Sequence, residues 1–201
     1  MNAPQSIAQA FGTILEGGFY AGRIRVGEQE FSIIAAPKAE GEHKDTALNA
    51  SLKRVSGALS FFDGLANTKA MAEAGSKLAK WAQGLAIGGH SDWYIPSRDE
   101  LELCYRNLKP TREENWCYRG DNPSSVPVGY AYMPDAPKQT DVEAFREGGA
   151  DAFDDVWYWS STQCAGNVSY AWFQSFSGGY QDYYRKDGDC RCRAVRRVPI
   201  Q

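Results

Sequence analysis

The sequence predicts an α+β fold in which two main helices dock on antiparallel sheets and long loops join the elements. Three observations carry this expectation. Strand-like alternation clusters near the start and again near the end of the 201-residue chain, two helix-periodic segments lie between, and strands, helices and strands follow in that order. A chain of this length can bury a real core, and a single domain over residues 1–201 is the expected organisation.

The first element is a hairpin over residues 17–37, GGFYAGRIRVGEQEFSIIAAP. Phe19, Arg23 and Arg25 alternate with Tyr20, Ile24 and Val26, and Phe31, Ile33 and Ile34 follow a GEQ turn. The polar run KAEGEHKDTAL after it reads as a loop. Residues 67–89 read as one helix, capped by Asn67 or Thr68, because Met71, Ala74, Leu78, Trp81 and Leu85 recur every three to four positions before Gly88-Gly89. The second helix lies within 92–110. Ser97 and Glu100 form a capping box, Asp99 sits in the first turn, Leu101, Cys104, Tyr105 and Leu108 make the buried stripe, and Pro110 stops it. Those features describe a docked helix, not a site.

Residues 120–137 form a Pro/Gly/Ser-rich loop, and residues 140–149 read as a short third helix. From residue 157 to 198 the signal is β. Trp157 and Trp159 alternate with Tyr158; Tyr170, Trp172, Gln174 and Phe176 share a later strand face; SGG and KDGD supply turns. CRCRAVRRVPI reads as one last strand.

Composition narrows the function classes. Hydrophobic residues make up 43% and charged residues 23%, an ordinary globular balance that excludes disorder. A net charge of −3 and an isoelectric point of about 5.5 argue against a nucleic-acid binder, which carries a basic face. No segment has the apolar length of a membrane helix, and MNAPQSIAQAFGTILEGG lacks the basic start and apolar run of a signal peptide. The expectation is synthesis in the cytoplasm without membrane insertion. Five cysteines, Cys104, Cys117, Cys164, Cys190 and Cys192, are an odd number and no disulfide framework; with only His43 and His90 beside them, no metal site and no cofactor are expected.

No catalytic constellation emerges: the chain has no GxSxG elbow, phosphate-binding glycine loop, HExxH or calcium loop. DGD at 187–189 reads as a turn, DAFDD at 151–155 as a solvated acidic loop, and His90 as structural. Arg191, Arg193, Arg196 and Arg197 read as strand-edge charges or salt-bridge partners. What remains is AWFQSFSGGYQDYYRKDGDC, residues 171–190, which mixes rings, small residues and charges without regular order. Tyr offers a large amphipathic surface at low entropic cost and Ser, Gly and Asp offer adaptable hydrogen bonds, the chemistry of a gripping surface.

WYIPSRDELELCY, followed by YWSSTQ, AWFQSF and RAVRRV in order, resembles a bacterial and phage C-type-lectin-like domain found in collagen-like adhesins and remotely related to formylglycine-generating enzymes. The match covers about residues 60–198 and implies a lectin-like scaffold. The tail further resembles the variable region of proteins diversified by diversity-generating retroelements. That skeleton, A-W-n-Q-n-F-n-n-G-n-Q-n-n-n-n-K-n-n-n-n-R-x-R-A-V-R-R, places Ala171, Trp172, Gln174, Phe176, Gly179, Gln181, Lys186, Arg191, Arg193, Ala194, Val195, Arg196 and Arg197 in an invariant frame. The variable slots are then Phe173, Ser175, Ser177, Gly178, Tyr180, Asp182, Tyr183, Tyr184, Arg185, Asp187, Gly188, Asp189 and Cys190, with Cys164, Ser169, Tyr170 and Cys192 ambiguous.

The genetic code offers a check. Randomising the adenines of an AAC codon cannot produce Lys, Gln, Glu, Met or Trp, and none of those types occupies a slot. Such a clean run arises by chance about one time in twenty at ordinary residue frequencies. The resemblance implies a non-enzymatic binding protein whose slots share one exposed face and recognise a protein or glycan on a target cell surface. Tyr180, Tyr183 and Tyr184 would be anchors with Phe173 at the edge, and the expected setting is a phage tail, prophage or bacterial surface. Two alternatives remain at this point: a formylglycine-generating-like oxidase using Cys190 and Cys192, and a fixed-specificity adhesin for acidic polysaccharides using the arginines.

Overall fold

The computed structural model describes residues 9–200. The leader reading rests largely on residues 1–8, which lie outside the described residues.

Alternation near the start folds as expected. Strands β2 (Gly18–Val26) and β3 (Gln29–Ala35) pair antiparallel, and a short β1 (Ile14–Leu15) extends the edge beside β2. Ile24, Ile33, Ile34 and Ala35 are fully buried, so both sides of the hairpin are covered.

The run expected as a loop is structured instead. A helical turn, α1 (Lys38–Gly41), leads into strand β4 (Glu42–Ala47). Its sequence, EHKDTA, is charged because it is an outer strand with a wet side. Its pairing is decided by a distant partner, which local periodicity does not announce.

The segment expected as one helix is two. α2 (Gly64–Glu73) is capped by Asp63, whose carboxylate accepts from Ala66 N–H, and α3 (Lys77–Gln83) is capped by Ser76. Gly75 between them has φ +94°, a left-handed conformation that ends the first helix. Asn67 and Thr68 are not caps. They lie buried inside α2, where Asn67 donates to Ser60 C=O at 2.7 Å and Thr68 Oγ1 accepts from Ile95 N–H at 3.0 Å.

Helix α4 (Arg98–Leu108) carries the expected capping box. Its stripe of Leu101, Cys104, Tyr105 and Leu108 packs in one core with Ile24, Ile33, Tyr158 and Phe176. Residues 120–137 remain a loop, as expected, folded on itself through an Asn122–Gly129 bridge and laid against β2 through Ile24–Ser125. The third helix shrinks to a 3-10 turn, Glu143–Phe145, ahead of the helix-weakening pair Gly148-Gly149.

Strands β5 (Trp157–Gln163), β6 (Tyr170–Ser175) and β7 (Gln181–Arg185) form a meander. The final segment is two strands, β8 (Asp189–Arg193) and β9 (Val195–Pro199), not one. They belong to different sheets, ordered β1-β2-β3-β9 and β4-β8-β5-β6-β7. Ala194 is the crossing point: its N–H donates to Gly41 C=O at 2.8 Å and its C=O accepts from Ala36 N–H at 3.0 Å. The apolar alternation runs straight through this crossing, so sequence alone does not mark it. Pairing is antiparallel except between β5 and β8. The architecture is α+β with mostly antiparallel sheets and few helices. Among the described residues no helix is long and apolar enough to cross a membrane.

Candidate ligand-binding face

The stretch 171–190 forms the β6–β7 ribbon at one edge of the five-stranded sheet, then the turn into β8. The register pairs Tyr170 with Arg185, Trp172 with Tyr183, and Gln174 with Gln181. Successive side chains alternate between faces, so Tyr183 and Tyr184 point opposite ways. Tyr183 meets Trp172 and Tyr170, at ring separations of 5.6 and 5.9 Å. Tyr184 meets Trp157 on the other side, at 5.6 Å. The slots therefore divide between two faces of a ribbon rather than sharing the single face the resemblance implies.

Apart from Trp172, which shares a side with Tyr183, the frame residues turn inward, and three polar ones hook main-chain carbonyls. Gln174 donates to Gly179 C=O, and Gln181 donates to Arg98 C=O at 3.1 Å, tying β7 to the start of α4. Lys186 is fully buried; its ammonium donates to Lys53 C=O at 2.7 Å and Gln163 Oε1 at 3.0 Å. That burial lowers the Lys186 pKa. Gly179 has φ +77°, and a Cβ there would overlap the Tyr105 ring. Arg193, fully buried, forms a two-nitrogen pair with Glu42 at 2.7 and 3.0 Å and also donates to Ala36 C=O. Arg196 pairs with Asp92 at 2.7 Å, Arg197 with Asp63 at 3.0 Å, and Arg191 with Asp154 and Glu42. All four arginines act within the protein, in line with the salt-bridge reading.

The slots fall into two groups. Tyr183, Tyr184, Arg185, Asp187 and Asp189 are exposed, and Ser177, Tyr180, Asp182 and Gly188 are half-buried. Phe173, Ser175, Gly178 and Cys190 are buried. Phe173 is no edge anchor: it is 4% exposed, stacked on Trp157 at 4.5 Å. Its strand position points it beneath the β5 tryptophans, where it supports the surface. Ser175 bonds Ser177 at 2.8 Å. A Cβ on Gly178 would lie 2.6 Å from Trp116 Cδ1, so glycine lets that indole settle. Of the ambiguous positions, Cys164, Ser169 and Tyr170 are half-buried and Cys192 is buried.

Sequence reasoning missed the contribution of residues outside the ribbon. Trp116, 64% exposed, lies tilted against Tyr180 at 5.2 Å, and its backbone N–H donates to Gly178 C=O at 2.8 Å. Arg119 lies over the rings of Tyr118, Trp172 and Tyr183 at 4.7, 5.0 and 5.6 Å. Exposed Phe61 and Trp157 complete the aromatic rim. The available signal was the run NWCYR, two rings and a cation inside a polar loop.

The other chemistry-bearing residues have structural partners. His90 Nε2 lies 3.3 Å from the Glu16 carboxylate, and Lys38 pairs with Asp154 at 2.6 Å and donates its backbone N–H to Asp151 at 2.9 Å. The five cysteines are free thiols; burial pushes Cys190 up to about 12 and raises Cys192 further. Among the described residues no group of three or more His, Cys, Asp or Glu side chains is placed to hold a metal ion.

A largely buried frame that grips main chain, beside a rim of exposed aromatic side chains, defines a class: an α+β domain with an aromatic surface edge. The model of the Lcl C-terminal domain family matches residues 50–196, and the chain belongs to that family. The family is associated with variable, ligand-binding proteins of diversity-generating retroelements. No curated protein sequence matches the chain significantly.

Proposed function

We propose that this chain is a non-enzymatic recognition protein, a C-type-lectin-like scaffold whose β6–β7 ribbon and following turn display retroelement-diversified residues. One observation carries the reading. Across residues 171–197 no frame residue is exposed, whereas the exposed positions are all slots. Tyr183 and Tyr184 are the anchors, with Trp172 beside the first and Trp157 beside the second, and the charged slots tune complementarity. The partner is a protein or glycan on a target cell surface, and the setting is a phage or prophage particle or a bacterial surface.

The alternatives lose support on geometry. An oxidase needs an accessible thiolate, and burial holds both Cys190 and Cys192 protonated. A polysaccharide site built on the four C-terminal arginines needs free guanidinium groups, and those are paired inside.

The decisive experiment sequences the 3′ end of the gene and its flanks across a host population. A nearby near-copy of the segment encoding residues 160–197, differing where it carries adenines, is the expected result. An invariant tail with no template overturns diversification and leaves a fixed-specificity binding domain.

A further inference from the structure

Arg119 stands at the centre of the display surface yet lies outside the slots. Its backbone is left-handed at φ +54°, unusual for a residue with a side chain, and its guanidinium is clasped by the rings of Tyr118, Trp172 and Tyr183. Its Nη1 is buried with no hydrogen-bond partner, and the one carboxylate facing it, Asp182, is 3.7 Å away. The Asp182 carboxylate also accepts the Tyr183 N–H at 2.8 Å, so it is fixed where it neutralises the cation.

The exposed cation of the ribbon itself, Arg185, is likewise occupied. Arg185 makes a two-nitrogen pair with Asp187 at 2.7 and 3.0 Å. Two internal pairs cancel, and exposed Asp189 stands outside both. The exposed side chains of the ribbon and its following turn therefore combine aromatic rings with residual negative charge, which attracts cations through ring quadrupoles and repels anions.

We propose that Arg119 and slot 182 form a charge selector on the ligand face. In this chain Asp182 closes the face to anionic ligands, which leaves partners whose contacting groups are uncharged or cationic. An uncharged residue at position 182 frees Arg119 to grip a carboxylate or sulfate. Under the diversification reading, on which the biological use of this selector rests, one slot then switches the ligand charge class without altering the scaffold. Asn, encoded by the unmutated AAC codon, is the open state, and Asp the closed one.

The test measures capture of the intact chain on dextran sulfate, with neutral dextran as control, at about 0.15 M salt, where exposed charges beyond about 8 Å are screened. Asp182→Asn keeps an acceptor for the Tyr183 N–H and changes only the charge. The wild-type chain is expected to show no specific capture, Asp182→Asn at least a tenfold gain, and the Asp182→Asn, Arg119→Gln double variant a return to the wild-type level. Specific capture of the wild type overturns the selector. So does an absent gain in Asp182→Asn, or a gain that survives in the double variant. Melting curves of the three proteins confirm that each is folded. The outcome is independent of whether a genomic template exists, so failure of the selector and failure of diversification are read separately.

Discussion

The β2–β3 hairpin and the β6–β7 ribbon are both antiparallel pairs, yet different forces hold them. In the hairpin, Ile24, Ile33 and Ile34 bury their side chains against other side chains, so each position depends on the shape of its neighbours. In the ribbon, Gln174, Gln181 and Lys186 reach instead for carbonyl oxygens of Gly179, Arg98 and Lys53. A carbonyl is present whatever side chain its residue carries. A scaffold gripped through main chain tolerates changes in the slots that packing alone would punish.

The largest break in this comparison is expected at Arg193. Its guanidinium is fully buried against Glu42, whose side chain is 8% exposed. Arg193→Ala takes the closest cation from that carboxylate, leaving it Arg191 at 3.4 Å and the Tyr158 hydroxyl at 3.0 Å, and also abandons Ala36 C=O, and a loss of about 3 kcal/mol is expected. Denaturant unfolding checks it; a loss below about 1 kcal/mol would show that the pair is not what joins β8 to β4.

Next comes Glu100, a buried carboxyl in the α4 cap. It accepts from Tyr94 Oη at 2.8 Å, Ser97 N–H at 2.7 Å and Gly64 N–H at 3.1 Å. Burial nonetheless lifts it from 4.5 to about 7. A raised acid pKa means the folded state holds the proton more tightly than the unfolded chain. Its contribution is full below about pH 4.5 and is lost as pH rises through about 7, worth at most about 3 kcal/mol. Glu100→Gln should therefore flatten the fall in stability between pH 5 and 8 relative to wild type. The slope is the readout, because the substitution also weakens the cap and lowers stability at every pH.

How much of this was legible in the sequence follows the same division. α4 was legible because its signals are local: Ser97, Glu100 and Pro110 punctuate it within one segment. The hairpin was legible by alternation. Gly75-Ser76, a stop and a cap in succession, was overlooked because the apolar spacing of α2 continues across it into α3. β4 and the crossing at Ala194 depend on partners far away in the chain, and no local pattern encodes them. At the candidate site, the division of frame from slots came from resemblance. The hooks of Gln181 and Lys186 and the participation of Trp116 and Arg119 needed the fold, since they join segments more than 50 residues apart, and the burial of Phe173 depends on how β5 lies beside β6.

The smallest expected effect sharpens the opening comparison most. Ile33→Val removes one methylene group from the hairpin core, where a loss of about 0.5–1.5 kcal/mol is usual. Tyr184→Ser removes an entire ring from the ribbon, but that ring is 39% exposed, lies on the Trp157 and Trp159 surface, and makes no hook. Its loss should cost no more than the methylene, under about 1 kcal/mol, while ligand binding through the aromatic rim falls at least tenfold. Paired urea titrations compare the two stabilities directly. If Tyr184→Ser proves the costlier by 2 kcal/mol or more, the ring belongs to the core, and the ribbon depends on its side chains as the hairpin does.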